Sequence, residues 1–427
     1  MHPDNFAQPA HSAQPGSSPV NLASPAQTPL LGLAALMRMA FAGVNLAPLG
    51  MQLLERAGAD PDPNVLMDLS IVLQLRGERE LALAMQAQAL QLQQLYAPPT
   101  AGGPVEIRLL AIMAPGDLMA NTPLEFLLEN STVALNLLYV APDLPLPAML
   151  PEHDLLFVAI GESDENLPLL QSISDGVASW PHPVLNLPQH IARLSRDQIC
   201  ALLKSAPGIS MPTTVRINRA ELEQIGRGQG LPNADTSLRG FPLIIRPVGS
   251  HAGHGLARLD DTAALLDYLL TWSQNQFYLS HFIDYRGADG LFRKYRIVLI
   301  NGQPFICHMA ISSHWMIHYL NAGMAEDAAK RTEEAHCFGD FDNGFARRHA
   351  AALKAVYQRS GLDYVGIDCA ETADGELLIF EVDSNMIVHA IDPADVFPYK
   401  QAQMRKVFGA FHNMLRTTIE LNSGRPD

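Results

Sequence analysis

Cysteine is scarce. The chain has four in 427 residues, Cys200, Cys307, Cys337 and Cys369, and no C-x-x-C pair. Such scattered thiols supply neither a disulfide framework nor a zinc site, and they fit a reducing compartment. Positive charge is also in deficit: 29 Lys and Arg stand against 44 Asp and Glu, a net charge of −15. That balance argues against non-specific binding to nucleic acid or an anionic membrane, but not against a nucleotide held at one local site. No apolar run is long enough to cross a bilayer, since the most apolar early stretch, 30–49, is interrupted by Arg38, Asn45 and Pro48. The opening MHPDNFAQPAHSAQPGSSPV lacks the basic, apolar, small-residue order of a secretion signal. The expectation is a soluble, cytoplasmic protein with no nucleic-acid and no membrane partner.

Two common nucleotide fingerprints are missing as well. The first strand candidate runs into MAPGDLMAN, with a single glycine where a dinucleotide loop would read G-x-G-x-x-G. No G-x-x-x-x-G-K-[ST] spacing follows the later glycine-rich run.

With 48% hydrophobic and 17% charged residues the composition is that of a globular protein, long enough for two or three domains. Residues 1–28, rich in Pro, Ala, Ser and Gln, read as a disordered tail. Residues 29–100 turn helical, with segments expected at 30–41, 47–57, 64–75 and 79–96. The run NVLMDLSIVLQLRGERELALAMQAQAL resembles one tetratricopeptide helix pair, with Gly77, Ala82 and Ala87 as small packing positions. It reads equally as a peptide- or protein-docking surface and as an ordinary helical hairpin packed on its neighbour.

APPTAGG (97–103) is a linker by composition. Over 104–206, strands expected at 105–113, 134–140, 154–160 and 183–187 alternate with helices, which implies an open parallel sheet. Thr122-Pro123-Leu124-Glu125 has the form of a capping box with Pro at the first helical position, and 188–206 reads as one helix. In FPLIIRPVGSHAGHGLARL, Gly249, Ser250, Gly253 and Gly255 lie between two strand-like runs, where backbone N–H groups can cradle phosphate oxygens. A helix at 262–274 and strands at 277–283, 293–300 and 303–311 follow, the last two joined by Asn301-Gly302.

The most informative stretch is DYVGIDCAETADGELLIFEVDSN, 363–385. Two apolar runs flank Asp374-Gly375, which predicts a two-residue hairpin turn. Counting outward from it puts Asp368 opposite Glu381, with Asp383 on the same face as Glu381. Carboxylates facing one another across a ladder repel, and three on one face of an apolar hairpin call for a hard cation, Mg²⁺ or Mn²⁺.

In this order the motifs, over roughly 105–420, resemble the ATP-grasp superfamily of carboxylate–amine ligases, nearest the branch of glutathione synthetase and the ligase that adds glutamate to a ribosomal protein. The resemblance implies an α/β (α+β) fold: a small helical domain (29–100), a pre-ATP-grasp α/β domain (104–206), an N-lobe with the glycine loop (207–285) and a C-lobe with the metal site (286–422). It implies ATP and Mg²⁺ as cofactors. Gln198 and Arg246 stand where the family has nucleotide-binding lysines. Ser280, His281, Phe282 and Ile283 match the adenine hinge. Arg296, with Lys294 and Arg293, matches the triphosphate-facing basic strand. Asp368, Glu381 and Asp383 match the metal ligands, with Glu381 bridging two cations. The implied reaction is ADP-forming ligation of a small-molecule carboxylate to an amine through an acyl phosphate.

His308, Ser312, His314 and Tyr319, with Asn385, are the substrate-side candidates, because polar and aromatic groups cluster after the 303–311 strand. Lys330, Arg331, Glu333 and Glu334 read as a solvated loop. Two alternatives stay open: a peptide- or protein-modifying ligase docking its substrate on the N-terminal helices, and a degenerate, non-catalytic ATP-binding module. Family members are often dimers or tetramers, so a homo-oligomer is also open.

Overall fold

The computed structural model describes residues 28–100, 103–144, 146–229, 238, 240–250 and 253–423. The expected disordered tail, save Thr28, lies outside the described residues. Helices α1 (Leu33–Phe41), α2 (Ala47–Ala59), α3 (Pro63–Leu75) and α4 (Arg79–Leu92) open the fold. α3 is apolar on nearly every side because it is wrapped. Val65, Leu69 and Val72 pack on Leu36 and Leu53, while Leu66 and Met67 join the core of the first sheet. The small buried positions on α4 are Ala82, as expected, and Ala89; Ala87, also expected to pack, is exposed. α4 also stops at Leu92 instead of reaching 96, because Tyr96 is taken as strand and buried edge-on against Tyr139.

The N-terminus of α1 is tied down by two carboxylates, one buried and one half-buried. Asp68 accepts from the Leu31 and Gly32 amides at 2.8 and 3.0 Å, and Glu125 accepts from the Ala34 amide at 3.0 Å. The expected capping box at 122–125 therefore does not form. Glu125 serves α1, the Thr122 hydroxyl donates to the Ser384 carbonyl at 2.9 Å, and α5 (Leu124–Leu127) is a single turn.

Burial pushes Asp68 up to about 6 and Glu125 up to about 7. A carboxyl raised in the folded state stabilises when protonated, and that stability is lost as pH rises through the folded value. Glu162 and Asp383, both raised to about 7 mainly by burial, have the same sign. Acidifying from pH 8 to about 6.5 should therefore add roughly 2 kcal/mol of unfolding free energy, read from urea melts at each pH. Below that, His308 and His389, held neutral chiefly by burial, begin to oppose the gain.

The first sheet has the order β1 (Leu95–Tyr96), β3 (Val133–Tyr139), β2 (Ile107–Met113), β4 (Leu155–Val158), β5 (Val184–Leu185), and all but the edge strand β1 are parallel. α6 (Leu167–Ala178) follows β4. The segment expected as one helix over 188–206 is two, α7 (Pro188–Ile191) and α8 (Arg196–Leu203).

The second sheet, antiparallel, has the order β7 (Thr214–Asn218), β10 (Gln276–His281), β8 (Leu243–Pro247), β9 (Ala257–Leu259). α9 (Arg219–Gly226) and α10 (Thr262–Thr271) cover one face, where Ile217, Leu243, Ile245, Phe277 and Leu279 meet Leu222, Leu265 and Leu269. Strand alternation turns Thr214, Ile244, Arg246, Tyr278 and Ser280 to the other face.

The third sheet has the order β12 (Gln303–Ser312), β11 (Phe292–Ile300), β13 (Tyr364–Glu371), β14 (Leu377–Asp383), β6 (Ile209–Ser210). α11 (Ala328–Asp340), α12 (Phe345–Arg348) and α13 (Ala350–Ser360) back it, and α14 (Lys400–Ser423) packs Val407 and Phe411 into the core shared with the first sheet. Asn301 and Gly302 both take positive φ, 48° and 76°, as the expected two-residue turn requires. No helix among the described residues is long and apolar enough to cross a membrane.

One side chain sets the first sheet against the third. Asn186, at φ 56°, accepts from the Tyr364 amide at 2.9 Å and donates to its carbonyl at 2.8 Å, while its own amide donates to Asp363 at 2.9 Å. Asn186→Ala should lower unfolding free energy by about 2–3 kcal/mol, because both Tyr364 backbone groups are left unpaired in a buried place. Chemical denaturation measures it.

Candidate active site

The β13–β14 turn is one residue longer than the two-residue reading. Thr372 pairs with Glu376, leaving Ala373-Asp374-Gly375 as the loop, with Gly375 at φ 80°. Alone, that residue would shift every pair by one and set Asp368 opposite Phe380. A bulge between Asp368 and Cys369 on the pairing absorbs the shift, so Asp368 does face Glu381. β11 continues the row, with Arg296 opposite Asp368 on one side and His308 of β12 on the other. Four neighbouring strands thus align His308, Arg296, Asp368 and Glu381, with Lys294 and Asp383 two residues along the same face.

This row floors a cavity of about 530 Å³, roofed by the second sheet and walled by α8. Its basic groups are closely placed. Arg296 binds both Asp368 oxygens, Nε at 2.8 Å and Nη2 at 3.0 Å, and Nη1 donates to the Ile387 carbonyl at 3.2 Å. Lys294 lies 2.7 Å from the same carboxylate. Arg196 pairs with Glu381 and donates to the Phe380 carbonyl at 2.8 Å. Arg246, from the second sheet, donates to the hydroxyl and carbonyl of Ser250 and so props the start of the glycine-rich segment.

The electrostatics follow from this crowding. Burial would raise the Asp368 pKa, but Arg296 and Lys294 outweigh it and hold the carboxyl well below its usual range. At Glu381 burial likewise raises the pKa, but Arg196 and Arg246 outweigh it and hold the carboxyl below its usual range. Arg246 is pushed down to about 10, by burial and then by Arg196. Asp383 is pushed up to about 7, by burial and then by Glu381. Four cations therefore face two firmly ionised carboxylates and one half-titrated one, a local positive excess on a chain of net −15.

Among the described residues, no group of three or more His, Cys, Asp or Glu side chains is arranged to hold a metal ion unaided. Both Asp368 oxygens are engaged by Arg296 and Lys294, which removes it from the donor set as it stands. Glu381, with one oxygen held by Arg196 and the other open, and Asp383 remain, and the raised Asp383 carboxyl is what a bound cation would relieve. Two carboxylates fit a hard cation that brings phosphate oxygens with it.

Several expected positions lie elsewhere. Arg293 is on the opposite face of β11 from Lys294 and Arg296, paired with Asp289 at 2.7 Å and with Glu333. Gln198 is exposed, while Arg196 and Ile199 line the cavity; two residues along a helix is about 200° of rotation. Of the glycine-rich segment, Gly253 and Leu256 line the cavity. Gly249, Ser250 and Gly255 do not, and Gly255 is structural, since a Cβ there would meet Pro247 at 2.6 Å. His251 and Ala252 lie outside the described residues. Ser280, His281, Phe282 and Ile283 all line it.

On the substrate side, His308 and Tyr319 line the cavity, their rings 4.6 Å apart. Ser312 and His314 do not; the Ser312 hydroxyl accepts from the His314 amide. Asn385 is buried away from the cavity and donates to the Met119 carbonyl, bracing the first sheet's loop against β14. Residues 330–334 are not a solvated loop but part of α11, and Glu334 is fully buried, accepting from Tyr399 at 2.5 Å and the Met309 amide at 2.9 Å. His318, in the same polar and aromatic stretch as His308 and Tyr319, also lines the cavity, whereas sequence reasoning missed Lys400, His389 and Asp392 on its wall. These three stand singly in a mostly apolar stretch after β14, where no motif marks them out.

No family model and no curated protein matches this chain. Among solved structures it is similar to a RimK domain ATP-grasp protein from Sphaerobacter thermophilus, at 16% identity and TM-score 0.43, covering 72% of this chain and 99% of that one. It is similar to D-alanine–D-alanine ligase from Bacillus anthracis complexed with ATP, at 13% identity and TM-score 0.44, covering 74% and 99%. It is also similar to the ATP-grasp ligase PsnB complexed with a phosphomimetic variant of a minimal precursor, Mg and ADP, at 13% identity and TM-score 0.40, covering 74% and 99%.

Proposed function

We propose that the protein is an ADP-forming ligase of the ATP-grasp type, which activates a small carboxylate as an acyl phosphate and transfers it to an amine. The observation that carries this reading is the convergence of Arg196, Arg246, Lys294 and Arg296 on one cleft between two sheets, in local excess over the carboxylates there. A polyanion answers that excess, and crowded cations in a part-buried site bind it more strongly than exposed ones would. In this reading 207–285 and 286–422 are the two lobes and 104–206 the domain before them.

Ser280–Ile283 would present backbone groups to adenine, with Ile199, Ile244 and Leu378 as apolar walls. Arg246 and Arg196 would hold the phosphate chain from above, Lys294 and Arg296 from below. A substrate carboxylate oxygen then attacks the γ-phosphorus, and the bond to the β–γ bridging oxygen breaks, releasing ADP with that electron pair. Arg296 would stabilise the charge that builds on the transferred group, a role worth about 3–4 kcal/mol for a well-aimed donor. The amine next attacks the acyl carbon and phosphate leaves, while the nitrogen's proton passes to the departing phosphate or to solvent. Glu381 and Asp383 would hold Mg²⁺, which when bound neutralises phosphate charge.

The test is ADP release with ATP and Mg²⁺ across a panel of small acids and amines, wild type against Arg296→Met. Turnover on at least one pair, lost in the variant, supports the reading. Turnover that survives in Arg296→Met contradicts it.

A further inference from the structure

Helix α1 is not among the elements assigned above to the nucleotide, yet Met37 and Phe41 line the same cavity as Arg296 and Glu381. The route from one to the other is short. Arg296 grips the Ile387 carbonyl, and two residues on, the His389 ring meets Phe41 edge-on at 5.4 Å. Across this end stands Lys400, 2% exposed, its ammonium 4.0 Å from the centre of the Tyr319 ring and 3.2 Å from Asp392. Met119, Met386, Val388 and Met404 supply the remaining apolar wall.

We propose, resting on the ligase reading above, that α1 closes the substrate end of the cleft, and that Met37 and Phe41 select a small zwitterionic amino acid with an apolar body. Three features argue for that occupant. Thioethers and aromatic rings adapt to an apolar body and give little to a charged one. Lys400, set between the Asp392 and Glu334 carboxylates at 3.2 and 3.6 Å, offers a cation to a substrate carboxylate, and Asp392 on the cavity wall offers an anion to its ammonium. The cavity, about 530 Å³, must also hold a nucleotide, and the space beside it suits a small molecule. Asp68 and Glu125 anchor the start of the helix that carries Met37 and Phe41.

The helical region then acts as a component of the pocket, not as a separate docking module for a peptide. The experiment is calorimetry on the full chain with Mg²⁺ and a non-hydrolysable ATP analogue. L-leucine, L-phenylalanine, L-glutamate, L-lysine and a Leu-containing pentapeptide are titrated in turn, and the amino-acid titrations are repeated without nucleotide. Leucine or phenylalanine should bind, and glutamate, lysine and the pentapeptide should bind at least roughly tenfold more weakly, the discrimination expected from one or two apolar contacts. Phe41→Ala should weaken the apolar amino acid by roughly tenfold, the loss of one aromatic contact, and Phe41→Leu should restore part of it. Phe41 is 48% exposed, so either variant should fold, and the ATP analogue should bind both as it binds wild type. No binding by any of the five probes overturns the proposal, as do equal binding of the charged probes, tighter binding of the pentapeptide, or a Phe41→Ala affinity equal to wild type. Failure of the analogue itself to bind is a separate readout and strikes the ligase reading instead.

Discussion

Asp368→Ala should lower the unfolding free energy by about 3–5 kcal/mol, the largest stability effect expected from any single substitution in the cleft. Asp368 has a side chain only 3% exposed and is bonded bidentately by Arg296, with Lys294 2.7 Å away. Removing it strands two cations in a part-buried place, and the loss is the desolvation of those cations more than the value of the pair. The same logic predicts recovery: adding Arg296→Met to Asp368→Ala should return part of the lost stability, because one stranded charge goes with it. Urea melts of the three variants decide it. A single-variant loss below about 1 kcal/mol, the value of an exposed ion pair, would mean the cluster is solvated and its charges are not felt.

The second large effect concerns Arg196. Arg196→Ala should reduce ATP-dependent turnover by about 10²–10³, the range for removing one preorganised donor from developing negative charge. It should also weaken nucleotide binding, since Arg196 both supplies charge and holds Glu381 in position. The contrasting variant is Gln198→Lys, which restores the residue type that the ATP-grasp pattern has at that place. Because Gln198 is exposed on the far side of α8, the change should leave turnover within about twofold, as exposed charges at a distance are screened. If Gln198→Lys raised turnover strongly and Arg196→Ala did nothing, the assignment of the α8 cation would be reversed.

These two residues show what the sequence could carry and where it stopped. Strand parity is local, so Glu381 and Asp383 on one face follow from counting by two. Arg293 should have been excluded by the same count, because it has the opposite parity to Lys294 and Arg296. The Asp368–Glu381 pairing was reached although the turn was one residue too short, because the bulge beside Cys369 compensates the longer loop. Bulges are set by side-chain packing across strands, which no run of residues reveals. Helix phase at 196–198 was equally invisible: the segment read as one helix over 188–206, whereas α8 starts at Arg196 and turns that residue inward.

Long-range partners were the least legible. Glu125 looked like half of a capping box, yet it serves a helix 91 residues earlier in the chain. Glu334 looked solvated amid Lys330, Arg331 and Glu333, yet the Met309 amide and Tyr399 hydroxyl draw it into the core. Lys400 begins a long helix and would ordinarily be surface; Tyr319, Phe397 and Asp392 make its burial tolerable. In each case the partner comes from a distant element, and only the assembled fold brings the two together.

The most direct measurement of the central claim is a thermal-shift titration with ATP, once with Mg²⁺ and once with EDTA. A ligand that binds only the folded state raises unfolding free energy by about 2.7 kcal/mol at a concentration 100 times its dissociation constant. The four-cation cleft with its Glu381–Asp383 pair predicts a clear rise in melting temperature with ATP and Mg²⁺, reduced when EDTA removes the cation. No rise under either condition would contradict a nucleotide site between these sheets.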